Sequence, residues 1–209
     1  MELDDYLAAH SSPEPAHLHE LYRRTHLRHL YPRMCSGHVQ GRLLKMLTAM
    51  CAPYRILELG TFTGYSTLCF AEGMPAGCSI DTVEIDDEMA DELLDTFGAS
   101  PWADRIHLHI GDALQVVPAL TGEWDLVFID ANKRLYRRYL DLVLPRVPVG
   151  GFILADNTLW DGHILSAETC RDTQSRAISE FNDYVARHPQ LEVVMLPVRD
   201  GLTLMRRVS

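Results

Sequence analysis

RILELGTFTGYSTLCF, Arg55 to Phe70, is the stretch whose reading decides the fold. Ile56, Leu57 and Leu59 make a short apolar run that predicts a buried parallel strand. Gly60 ends it, Thr61-Phe62-Thr63-Gly64 turns the chain, and a helix is expected from Tyr65 onward. Free N–H groups at a helix start hold anions, and glycines let a ligand approach the backbone. An ordinary strand–helix connection has the same outline, so the strand ends elsewhere must separate the two.

Outward from this stretch, strands and helices alternate. Ser79–Ile85, Arg105–Ile110, Trp124–Ile129 and Gly151–Ala155 read as strands. Helices are expected over Asp87–Phe97, Ala113–Leu120, Leu135–Leu144 and Gln174–Arg187. Such alternation predicts an α/β domain, a parallel sheet covered by helices on both faces. Leu191–Leu196 and Leu202–Met205, separated by Pro197 and Asp200-Gly201, read as a closing hairpin that makes one edge antiparallel. Upstream, Ser36 is the expected N-cap of a helix with Leu43, Leu44, Met46 and Leu47 on one buried face. Residues 1–33 read as a helical extension broken by Pro13 and Pro15, and 34–209 as the main domain.

With 209 residues and 47% hydrophobic content, the chain suffices for one sizeable core. A net charge of −10 disfavours generic binding to nucleic acid or anionic membranes. No apolar run approaches the ~20 residues a membrane span needs, and the acidic start resembles neither a signal nor a transit peptide. Five cysteines without a CxxC pair argue for reduced thiols and against zinc. A cytoplasmic protein is the expectation.

In an open parallel sheet, ligands sit beyond the carboxyl ends of the strands. Five successive strands are expected to bring an acid there: Glu58, Glu84, Asp112, Asp130 and Asp156, the last followed by Asn157. That much like charge in one place calls for cations or hydroxyl donors. Glu84, about 20 residues beyond the glycine turn, is placed to accept from a ribose diol. GxGxxG is absent, so close approach of a pyrophosphate is not provided for. A cationic nucleoside without phosphates, S-adenosylmethionine, fits better than a nicotinamide dinucleotide. Asp130, Asp156 and Asn157 offer only oxygen donors, the set of a hard cation, Mg²⁺ or Ca²⁺. Beside such a cation the pKa of Lys133 is expected to fall, making the amine a general base.

The segments LELGTFTGYS, TVEID, IGDAL, FIDANKRLYRRY and GGFILADNTLWDG together resemble the class I cation-dependent O-methyltransferases, the catechol and caffeoyl-CoA enzymes and their small bacterial relatives. The resemblance implies a Rossmann-like, doubly wound sheet. It also implies that Glu58 and the Gly60 backbone hold the amino acid part of S-adenosylmethionine, with Ser66 at its carboxylate. Met34 and Ser36 would belong to a segment closing over the methionine end. Glu84 would hold the ribose, and Asp112 with the Ala113 backbone the adenine. Asp130, Asp156 and Asn157 would be the ligands of Mg²⁺ (or Mn²⁺ or Ca²⁺), Asp130 also meeting the donor, and Lys133 the catalytic lysine. Tyr136 and Trp160 would line the acceptor pocket, the acceptor being a small catechol-like phenol, and family habit implies a homodimer.

The sequence also departs from the pattern. Asn132 stands where catechol enzymes carry a tryptophan, and no acid near Val194 matches their substrate-contacting glutamate. The substrate-binding insertion of plant caffeoyl-CoA enzymes is lacking. An alternative acceptor is a hydroxylated nucleotide of tRNA, for which Arg23, Arg24, Arg28 and Arg33 could hold phosphates, although the net charge opposes it. A nicotinamide oxidoreductase is a further alternative.

Overall fold

The computed structural model describes residues 2–166 and 168–209. Its strands are β1 (Arg55–Leu59), β2 (Ser79–Glu84), β3 (Ile106–Ile110), β4 (Leu126–Ile129), β5 (Phe152–Asp156), β6 (Leu191–Leu196) and β7 (Leu202–Arg207). They form one sheet in the order β3-β2-β1-β4-β5-β7-β6. The first five are parallel, and β7 runs antiparallel between β5 and β6. The expected hairpin is therefore present, and it closes one edge. Strand order reverses between β1 and β4, which makes that crevice the topological switch point.

The helices are α1 (Leu3–Ala9), α2 (Ala16–Arg28), α3 (His38–Cys51), α4 (Tyr65–Gly73), α5 (Ala90–Gly98), α6 (Ala113–Ala119), α7 (Tyr136–Val143) and α8 (Thr173–Ala186). Successive strand residues feed two cores. Leu57, Leu59, Val127 and Ile129 pack with Val117, Leu140 and Phe181 of α6, α7 and α8. Ile56, Ile80, Leu126 and Phe128 pack with Leu18, Leu44, Phe70 and Leu93 of α2 to α5. Burial on both faces is why β4 reads as an unbroken apolar run and β1 as one interrupted by Glu58; each apolar side chain contributes about 1.5–3 kcal/mol when fully buried. Thr25 of α2 donates to the Thr63 hydroxyl at 3.0 Å, so α2 lies directly on the glycine turn.

Three local expectations are corrected. Gly37, at φ 75°, is the N-cap of α3, and Ser36 precedes it. Met46 is exposed; Leu44 is buried with Gln40, Gly41, Arg42 and Thr48, and Leu43 and Leu47 are partly buried against the same core. The cause is close helix packing: a Cβ at Gly41 would come within 2.8 Å of Cys69 Sγ and 2.9 Å of the Tyr65 ring on α4. Trp124 lies before β4, fully buried, its indole N–H donating to Asp81 at 3.0 Å. All five cysteines are unpaired. Among the described residues no helix is long and apolar enough to cross a membrane.

Candidate active site

Hydrogen bonds carry the sheet ladder one residue past its strands. Gly60 N donates to Val83 O at 3.0 Å, Asp130 N to Leu59 O at 2.8 Å, and Gly111 N to Glu84 O at 2.7 Å. These bonds hold the loops after β1, β3 and β4 at one level, so the predicted acids share a rim. Gly60 has φ 95°, and a Cβ there would collide with the Asp130 carbonyl. Only glycine lets the two loops touch at the switch point.

Glu58 lies on the α4 face of β1, fully buried. Three hydroxyls donate to it: Ser66 at 2.6 Å, Thr82 at 2.7 Å, and Thr67. The Ser66 hydroxyl is thus engaged with Glu58. Burial pushes the Glu58 carboxyl up to about 7 and the Asp130 charge adds to this, against the pull of the three hydroxyls. From the ordinary range near 4.5 up to about 7, the folded chain holds a proton that the unfolded chain has released. The group's stabilising contribution is therefore complete below that window and lost as pH rises through it, by roughly 3 kcal/mol in all. Glu58→Gln is expected to flatten this slope; urea midpoints across the window would show it, and an unaltered slope would refute the assignment.

Glu84 ends β2 and gathers three backbone donors: Phe62 N at 2.8 Å, Thr61 N at 3.1 Å and Asp86 N at 2.9 Å. It thereby fixes the glycine turn; Oε2 takes the Thr61 and Phe62 bonds and Oε1 the Asp86 bond, which leaves one acceptor site, on Oε1, for a hydroxyl. Asp112 caps α6 through Leu114 N at 2.9 Å, with the Ala113 backbone beside it. Ser36 is buried and Met34 exposed; both belong to a segment, Arg33–Ser36, bound by the Arg199 guanidinium.

Asp130, Lys133, Asp156 and Asn157 come together at the ends of β4 and β5. Lys133 Nζ donates to Asp130 Oδ1 at 2.6 Å, and both side chains are largely buried. Asp156 accepts from Gln40 Nε2 and from Asn157 N, each at 2.8 Å. Burial, then the Asp130 charge, pushes Asp156 up to about 7. Asn157 sits at φ 57°, and its amide lies 3.4 Å from Asp200. Asp130 and Asp156 repel each other and the Asn157 amide follows directly; two carboxylates and an amide oxygen are a donor set that would suit a hard cation. No group of three or more His, Cys, Asp or Glu side chains fit for a metal occurs among the described residues; an amide would be the third donor. The residues fit the ion.

Burial alone would lower the Lys133 pKa, yet the Asp130 carboxylate and the Tyr136 hydroxyl hold the ammonium well above the usual lysine range. Tyr136, expected at the acceptor pocket, is buried against Phe181 and donates to the Asp156 carbonyl at 3.0 Å, propping the site from beneath. Trp160 is half-buried in the loop after β5. Asn132 caps the turn that carries Lys133, accepting from Arg134 N at 3.1 Å. Val194 lies exposed on the edge strand. Of the N-terminal arginines, Arg24 is engaged by Thr96 and Glu92, and Arg23 lies 3.5 Å from Glu20. Sequence reasoning missed the hydroxyls of Thr67 and Thr82, and also Gln40, Arg199 and Asp200. The hydroxyl run around Ser66 was a usable signal for the first; partners more than a hundred residues apart left none for Gln40.

A doubly wound sheet with an antiparallel closing strand and an acid-lined switch point defines the class I methyltransferase architecture. The chain belongs to the O-methyltransferase family, whose model matches residues 8–208. It is 33% identical to caffeoyl-CoA O-methyltransferase 1 of Eucalyptus globulus, over 94% of this chain and 83% of that protein. It is 29% identical to the O-methyltransferase ankF of Aspergillus thermomutatus, over 98% and 92%. Among solved structures, the SAH-bound methyltransferase PaMTH1 of Podospora anserina superposes with a TM-score of 0.91 at 28% identity, covering 99% of this chain and 94% of that one. TomG of Streptomyces achromogenes, in complex with SAM, gives 0.90 at 25% identity, covering 99% and 96%.

Proposed function

We propose that this O-methyltransferase moves the methyl group of S-adenosylmethionine to one oxygen of a vicinal dihydroxyphenyl group on a small molecule, with a divalent cation bound. The observation that carries this reading is the convergence of Asp130, Lys133, Asp156 and Asn157 beside the glycine turn. Two relatives with solved structures hold SAM or SAH, which supports the donor. The caffeoyl-CoA relatives support a phenolic acceptor.

The Thr61–Gly64 turn and Glu84 would seat the ribose, Asp112 and the Ala113 backbone the adenine, and Gly60 with the Glu58 cage the amino acid end. Met34 and Ser36 would cover that end. Asp130, Asp156 and Asn157 would hold the ion. Bound there, Mg²⁺ would supply Lewis-acid stabilisation of a phenolate and offset the Asp130 charge that keeps Lys133 protonated. Lys133 is then the residue that accepts the phenolic proton. Seating donor and acceptor on one rim makes the attack effectively unimolecular, which is the chain's largest contribution to rate.

The acceptor is tested with labelled S-adenosylmethionine, a set of vicinal diphenols and their monohydroxy counterparts. The expected result is label on the diphenols, with rates on the monohydroxy compounds lower by about a hundredfold or more. Equal rates on both would refute the two-oxygen acceptor.

A further inference from the structure

Arg199 stands in the turn between β6 and β7, solvent-exposed and at φ 48°. That is the left-handed backbone region, where glycine sits without strain and arginine does not. Its guanidinium spans from this turn to the opposite wall of the site. Nη1 donates to Cys35 O at 2.8 Å, to Ser36 O and to Gln40 Oε1 at 3.3 Å, and Nη2 donates to Arg33 O at 3.1 Å. Bonding its Oε1 fixes which way the fully buried Gln40 amide points, so Nε2 faces Asp156 Oδ2 at 2.8 Å. The neighbouring Asp200 grips the other wall: its carbonyl accepts Leu159 N at 2.8 Å, and its carboxylate accepts from Asp161 N. One hairpin turn therefore ties the Arg33–Ser36 segment to the loop after β5.

We propose that Arg199 is a positioning residue for methyl transfer: it latches the Arg33–Ser36 segment over the donor site and, through Gln40, holds the Asp156 carboxylate in place. The proposal rests on the donor and ion sites assigned above. A charged donor shared among four oxygens explains why arginine is kept at a strained backbone position that glycine would relax. It also gives Met34 and Ser36, which have no strand or long helix of their own, a fixed place.

The test compares wild type with Arg199→Gly and Arg199→Lys. Glycine relieves the backbone, so Arg199→Gly is expected to melt no lower than wild type. By hydrogen exchange, the Met34 and Cys35 amides, which close a single turn on Tyr31 and Pro32, should exchange about tenfold faster. Calorimetry should show S-adenosylhomocysteine bound about tenfold more weakly, with KM for the donor rising more than kcat falls. Arg199→Lys should recover part of each change, because an ammonium reaches some of the same carbonyls. Unchanged exchange in Arg199→Gly overturns the latch, whatever the ligand data. Faster exchange in Arg199→Gly, with no S-adenosylhomocysteine bound even by wild type, would uphold the latch and sink the donor assignment.

Discussion

Asp156→Ala is expected to lower methyl transfer about a thousandfold, while S-adenosylhomocysteine binding is largely kept. Asp156 is the last residue of β5, buried, and braced by the Gln40 amide, its neighbour's N–H and the Tyr136 hydroxyl beneath its carbonyl. Two donors to the carboxylate and a third to the carbonyl of the same residue fix where it sits, and burying a carboxylate is costly. Losing a cation ligand forfeits several kcal/mol of charge stabilisation in the transition state, and about 1.4 kcal/mol corresponds to each tenfold in rate. The donor contacts proposed above lie mainly at the ends of β1, β2 and β3, so its affinity should change little. Single-turnover rates and calorimetry on the same variant separate the two effects. A variant with normal turnover would remove Asp156 from the ion site. Asp130 should behave differently, because it stands between Lys133 and the glycine turn: Asp130→Ala is expected to weaken donor binding as well.

Gly60→Ala should damage both halves of the site. The new Cβ meets the Asp130 carbonyl and lies 3.2 Å from Ala131 N, and φ 95° is poorly accessible to alanine. The atom it strikes is backbone, so relief requires β1 and β4 to part where Asp130 N bonds Leu59 O. A loss of about 2–4 kcal/mol in stability is expected from strain and overpacking together. S-adenosylhomocysteine affinity should fall by about a hundredfold or more, because the turn proposed above to seat the donor moves. Denaturant midpoints and calorimetry check the two parts. Wild-type affinity in this variant would show that the Gly60–Asp130 contact does not shape the donor site.

Much of this was legible in the chain, for identifiable reasons. β1, β4 and β5 are buried on both faces and so appear as short, largely apolar runs, β2 shows Ile80 and Val83 among polar residues, and an acid at the end of such a strand must lie on the carboxyl rim. Glu84, Asp130 and Asp156 were readable in this way. The hairpin showed itself through Pro197 and Asp200-Gly201. The inner face of α3 was readable at Leu43, Leu44 and Leu47 but not at Met46, because Gly41 lets α4 approach and Met46 is turned outward. The 2.6 Å contact between Lys133 and Asp130, which the fold of the turn after β4 makes, was not readable either. Tyr136 read as a pocket residue from its place in the motif; packing on Phe181 turns it beneath the site instead. Nothing in the sequence singled out Arg199, because its carbonyl partners, more than 150 positions away, are brought to it only by the fold.

The central claim is that an O-methyltransferase with this rim acts on vicinal diphenols with a divalent cation. It is tested most directly by the initial rate of label transfer to a 3,4-dihydroxyphenyl acceptor, first with chelator and then with Mg²⁺ restored, with bulk tRNA assayed alongside. The account predicts label on the diphenol, loss of turnover under the chelator, and recovery on adding the ion. A rate indifferent to the chelator, or label entering tRNA and no diphenol, would contradict it.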